Sequence, residues 1–171
     1  MGEQPVGRSS IRISKQLYLS TMIGVWLLAI VSTALAFAAD ERFGVVSILA
    51  RVILFVIILR FWYQAWSAIQ DGHARTTPGK AAGFLCIPLF NFYWVFQVTW
   101  GFAQDFNSYT SRHGLRVNPL DEKLFLAIPI LSLVSLAPVV GLAAYLAEIV
   151  LYLIAIVKIC DGVNAFGEGR Q

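Results

Sequence analysis

Three ionisable side chains, Arg51, Arg60 and Glu148, stand inside long apolar runs, and any chemistry of this chain has to be asked of them first. On insertion scales an ion at membrane depth costs about 3 kcal/mol, so it faces protein or water and has a partner. Arg60 precedes Asp71 by 11 residues and Glu148 precedes Asp161 by 13. If both aspartates mark one interface, Arg60 and Glu148 lie at nearly equal depth, and an ion pair between them is expected. Such a pair either locks two helices together or serves transport or proton relay; a lipid headgroup is a third partner for the arginine. Arg51, farther from Asp71, is expected to snorkel to the opposite interface. Asn91 follows Pro88 closely, so its amide can satisfy carbonyls freed by the proline or meet a ligand. Trp94 and Trp100 belong to an aromatic run that reads as an interfacial belt or packed core. Stacking on a quinone or pigment is the alternative for them.

Other chemistry is poorly represented. His73 and His113 lie in polar loops without a cysteine or acid cluster at ligand spacing, and a metal site needs three or four ligands. There is no phosphate-binding glycine loop, no Gly-x-Ser-x-Gly, no His-Glu-x-x-His and no paired nucleophile and base. No catalytic, cofactor-binding or metal residue is therefore expected, and the chain reads as non-enzymatic. Its basic loops are too short and too poor in stacking aromatics for nucleic acid. Cys86 and Cys160 sit in apolar segments and read as small buried side chains.

The elements that must position these residues follow from composition. The 171 residues are 58% hydrophobic and 13% charged, with net charge +3 and mean hydropathy +0.70. Soluble domains are nearer half apolar and a quarter charged. The expectation is an all-α polytopic transmembrane bundle, with a basic interfacial segment over 1–16, a single membrane domain over 17–165 and a polar tail over 166–171. In the first segment Arg8, Arg12 and Lys15 face anionic lipid, and Ser9 or Ser10 can cap a helix. Leu17–Ala39 is long enough to cross and too long for a signal-peptide core, so it reads as an uncleaved first span. Val6 stands where a myristoylation signal needs Ser or Thr. Asp40–Arg42 turns the chain into a second run, Phe43–Gln70. Residues 81–109 are apolar but interrupted at Pro88–Asn91, which predicts a broken or re-entrant helix covered by protein. Residues 124–160 would make one helix roughly 55 Å long, so a break at Ala137–Gly141 and two spans are expected.

Charge sets the topology. Basic residues before span one, in the loops at 71–80 and 111–123, and near the C-terminus share one side if the chain folds as three helical hairpins. That side is expected to be cytoplasmic, with the N-terminus. A single ordinary span at 81–103, giving five crossings, is the rival; four crossings result if 122–136 stays interfacial. A weak repeat supports shared ends: the runs closing at Asp71, at Asp105-Phe106-Asn107 and at Asp161-Gly162-Val163-Asn164 each finish on an aspartate.

Pro78-Gly79-Lys80-Ala81, Ile87-Pro88-Leu89-Phe90-Asn91-Phe92-Tyr93-Trp94 and Trp100-Gly101-Phe102-Ala103-Gln104-Asp105-Phe106-Asn107 resemble the motif of a family of small bacterial multi-pass inner-membrane proteins. The resemblance covers about a fifth of the chain. It implies a bacterial inner-membrane location and transfers no activity. With no reactive constellation, the expected role is that of an accessory or assembly subunit of a larger membrane complex, or a small homo-oligomer. Its partners are then lipids and other membrane subunits or copies of itself. A small transporter or channel using the broken helix and the Arg60/Glu148 pair is the alternative.

Overall fold

The computed structural model describes residues 11–168. Six α-helices follow one another: α1 Lys15–Ala38, α2 Arg42–Ala68, α3 Pro78–Gly83, α4 Phe90–Arg112, α5 Glu122–Val134 and α6 Gly141–Glu168. A 3-10 turn, Phe84–Cys86, extends α3. Local chemistry sets the boundaries. Ser14 caps α1 by accepting the Leu17 N–H, and Thr77 caps α3 ahead of a proline at its first position. The expected caps Ser9 and Ser10, with Arg8 and Arg170, lie outside the described residues. Asp40 accepts the Arg42 N–H at 2.8 Å in the turn between α1 and α2.

α1, α2 and α6 are long and apolar enough to cross a bilayer. By helix rise they measure roughly 36 to 42 Å, against a hydrocarbon core of about 30 Å. α1 and α2 form an antiparallel hairpin. The buried small residues Ala29, Ser32, Ser47 and Ala50 are of the kind that lets two backbones approach closely. α5 and α6 form another. At 13 residues, α5 is about 20 Å long and falls short of crossing, so the apolar run at 124–160 does not supply two full spans. The chain turns after Val134 and restarts at Gly141, where a Cβ would collide with the carbonyl oxygen of Ser135.

Aromatic side chains fill the centre. Trp62 and Trp66 meet Phe102 edge-on at 5.6 and 5.4 Å, tying α2 to α4. Phe106 of α4 stacks on Phe166 of α6 at 5.5 Å. Tyr152 of α6 meets Trp26 edge-on at 6.1 Å and accepts the Trp62 indole N–H at 2.6 Å, satisfying both polar atoms in a buried setting. Between the 3-10 turn and α4, Ile87 is extended and Leu89 takes φ 65 and ψ -46, the geometry of a γ-turn centre, which is rare for a residue with a side chain. Main-chain bonds stitch this turn: Phe90 N–H to Pro88 C=O at 2.8 Å and Asn91 N–H to Ile87 C=O at 3.0 Å.

Candidate functional site: a polar girdle at one end of the bundle

The three helix ends that share an aspartate meet on one face of the bundle. Each aspartate holds a cation from another segment. Asp161 of α6 pairs with Lys15 of α1 at 2.6 Å. Asp105 of α4 takes Arg75 from the α2–α3 loop at 2.9 Å and accepts the Arg75 N–H at 2.8 Å. Asp71, after α2, takes Arg112 from the end of α4 at 2.8 Å. The Asp71 side chain is only 4% exposed. Its burial pushes the carboxyl up, but the His73 N–H and the Arg112 guanidinium outweigh that and hold it below the usual carboxylate range.

Two asparagines complete the girdle by clasping passing backbone. Asn107 donates to the Leu120 C=O at 2.9 Å and accepts the Leu120 N–H at 2.7 Å. Asn164 makes the same reciprocal pair with Ile13, both bonds 2.9 Å. A side-chain amide has one donor and one acceptor in the geometry of a peptide, so it can pair with an extended residue as a neighbouring strand would. Ile13 and Leu120 are both buried. The Asp-Phe-Asn and Asp-Gly-Val-Asn ends therefore have one job: the aspartate holds a cation and the asparagine holds a chain entering the bundle. The sequence displayed the repeat, but not its partners, which lie 13 and 151 residues away. Close helix approach supports the arrangement. The Arg75 side chain lies across Gly101, and the Phe106 ring lies across Gly162.

Polar groups within the apolar helices form separate, smaller sets. The expected Arg60–Glu148 ion pair does not form. Glu148 accepts instead from the Ser132 hydroxyl of α5. Arg60 is exposed to the outside of the bundle, beside the Tyr18 hydroxyl, which itself donates to Gln64 at 2.9 Å. Height is not the obstacle: the Trp62–Tyr152 bond puts Arg60 and Glu148 within roughly 3 Å along the helix axes. Direction is. Trp62 faces α6, and two residues along a helix turn it about 200°, so Arg60 faces the other way, with Gln64 towards α1. Arg51 does not simply snorkel: it donates to Ser47 and, at 2.9 Å, to Thr33, whose hydroxyl lies 2.7 Å from that of Ser47.

The remaining expected residues are scattered. Among the described residues the Asn91 side chain makes no hydrogen bond; main-chain groups close the turn at Pro88 without it. Trp94 donates to the Ala81 C=O at 3.1 Å, stacks on Phe90 at 5.5 Å and meets Phe84 edge-on at 4.8 Å. Trp100 is half-buried, and six residues of helix put it on a different face from Trp94. Cys160 is buried, whereas Cys86 is exposed, contrary to expectation. His73 is exposed and His113 lies against Tyr109, their rings 4.3 Å apart.

Among the described residues no group of three or more His, Cys, Asp or Glu side chains is placed to hold a metal ion. The girdle is a device for fastening segments. It borders two clefts of about 590 Å³, one beside Arg116, Lys158 and Asp161, the other beside Arg75, Arg112 and Glu122. Set against known proteins, the chain matches no family model, no curated protein and no solved structure.

Proposed function

We propose that this chain is a non-catalytic integral membrane protein that acts as a subunit of a larger assembly, built either with foreign membrane chains or with copies of itself. The observation that carries this reading is the turn at Ile87–Leu89. By helix rise it lies roughly 22 Å above Asp105, the height of the girdle, and so at membrane depth. Ile87 is 45% exposed and Leu89 82% exposed. Non-helical backbone at membrane depth is tolerated where protein or a water-filled cavity covers it, not against lipid. Phe92 and Tyr93 extend the same exposed surface. On this reading α3, its 3-10 turn and α4 are a broken, re-entrant hairpin whose outer tip is completed by a neighbour.

The girdle end, rich in lysine and arginine, is the cytoplasmic side by the positive-inside rule, with the N-terminus there. The resemblance of the Pro78–Ala81 and Ile87–Trp94 segments to small bacterial inner-membrane proteins supports a bacterial inner membrane as the compartment. The transporter alternative loses its centre, because Arg60 and Glu148 face different neighbours.

Cys86 offers a direct test, since it is exposed beside the turn while Cys160 is buried. A bifunctional maleimide added to native membranes should join Cys86 to a second copy or to one defined foreign chain, and Cys86→Ser should abolish the adduct. Purification in mild detergent should then recover that same partner in fixed ratio. A monodisperse monomer, with no Cys86 adduct in membranes, would defeat the proposal.

A further inference from the structure

A groove of about 330 Å³ runs between α1 and α2 on the outside of the bundle, near the girdle end. Arg12, from the segment before α1, and Arg60, from inside α2, both line it. Ser14, Tyr18, Thr21 and Gln64 supply further hydrogen-bonding groups along its walls. Its apolar lining comes from Leu17 and Ile57. No carboxylate lines it, and among the described residues neither arginine has an ion-pair partner. Lys15, Arg75 and Arg112, at the same end, are each held by an aspartate.

An arginine within a membrane span needs polar partners or water, and an anion satisfies it best. Arg60 sits opposite the second turn of α1, roughly 10 Å along the helix from Lys15, within reach of the headgroup layer by snorkelling. Two guanidinium groups beside a hydroxyl-lined channel form a set that recognises phosphate oxygens through charge-assisted, paired N–H···O bonds. The apolar continuation through Leu17 and Ile57 suits an acyl chain descending from that phosphate. We infer that the α1/α2 groove is a binding site for one anionic phospholipid of the leaflet at the girdle end, its phosphate held between Arg12 and Arg60. This rests on the membrane reading and is independent of the subunit reading.

The experiment is native mass spectrometry of the full chain released from nanodiscs of mixed phosphatidylglycerol and phosphatidylcholine. The wild type should retain one phosphatidylglycerol in preference to phosphatidylcholine. Arg60→Gln and Arg12→Gln should each weaken retention about fivefold, the ratio for about 1 kcal/mol per basic residue at an anionic surface. Arg60→Lys should keep most of it. Arg12 precedes the first helix and is exposed, so Arg12→Gln keeps the test open should Arg60→Gln fold poorly. Millimolar inorganic phosphate should not displace the lipid; displacement would make the site one for a free anion and overturn the lipid assignment. Equal retention of both lipids, or retention unchanged in Arg12→Gln, would overturn the site itself.

Discussion

Replacing Asn107 with leucine tests the clasp that closes the girdle. The amide makes two hydrogen bonds to the main chain of Leu120, at 2.9 and 2.7 Å. Each is worth about 1 kcal/mol net, and stranding the buried partner groups adds a desolvation cost of about 1–3 kcal/mol. Leu120 is 4% exposed, but the clasp is only part-buried, so water replaces some of what is lost. The lower end, about 2–3 kcal/mol, is therefore expected, a 30- to 150-fold shift in the unfolding constant by the usual conversion. Asn107→Asp keeps the acceptor for the Leu120 N–H and loses the donor, so it should fall between wild type and leucine. Equilibrium unfolding in mixed micelles, followed by tryptophan fluorescence, reads both variants on one scale. Asn164→Leu should match Asn107→Leu, because Asn164 holds Ile13 by the same reciprocal pair. A loss under about 0.5 kcal/mol at both asparagines would refute the reasoning, since two main-chain segments would then be held by something else.

Gly162→Ala should lower stability by about 1–3 kcal/mol through overpacking, because the new Cβ meets the fully buried Phe106 ring at 2.6 Å; an unchanged melting temperature would contradict it. Asp71→Asn should cost about 1 kcal/mol at pH 7, the charged bonds being discounted because Arg112 is 37% exposed. The folded-state pKa of Asp71 lies below its unfolded value of about 3.9, so its contribution is complete above that value and is lost as pH falls through the folded one. The deficit of the variant should therefore narrow below pH ~4, and a constant gap from pH 7 to pH 3 would contradict the ion pair. Glu148→Gln should leave folded yield within about twofold of wild type, since a glutamine oxygen still accepts from Ser132. A collapse in yield that Arg60→Gln repairs would reinstate an Arg60–Glu148 pair.

Features that depend on distance along the chain were legible in the sequence. The first two runs, read as 17–39 and 43–70, are α1 and α2 at Lys15–Ala38 and Arg42–Ala68. The break near Pro138 falls between α5 and α6. Counting along helices also put Arg60 and Glu148 at nearly the right height. What failed was direction about the helix axis, which depends on where the neighbours stand. Nearly uniform apolar sequence hides that information, since both the lipid-facing and the protein-facing sides of these helices are hydrophobic. Glu148 was legible as a residue needing a partner, but the partner is a serine on the adjoining short helix, and serine carries no signal of its own in an apolar run. The asparagine clasps were invisible for a related reason. An amide that pairs with main chain places no demand on the identity of the residue it holds, so Ile13 and Leu120 look like any other apolar residues.

The polar contacts are distributed unequally between the two ends of the molecule. At the girdle, side-chain bonds join different hairpins or tie a connecting loop to one: Lys15 to Asp161, Asn164 to Ile13, Arg75 to Asp105 and Arg112 to Asp71. Towards the far end, the bonds lie within a hairpin: Arg51, Ser47 and Thr33 join α1 to α2, and Ser132 joins α5 to α6. The Trp62–Tyr152 bond lies between these levels. Among the described residues no hydrogen bond joins the hairpins far from the girdle, so packing carries most of their contact there, and in lipid packing has little hydrophobic drive behind it, because acyl chains are as apolar as leucine. Separation of the hairpin tips therefore breaks no hydrogen bond between them, whereas separation at the girdle breaks several at once. A neighbouring subunit seated against the exposed turn at Ile87–Leu89 would add its packing at the end where the chain's own fastening is weakest. That complementarity gives the exposed turn a structural rationale as an interface, with the girdle holding the rest of the fold in register.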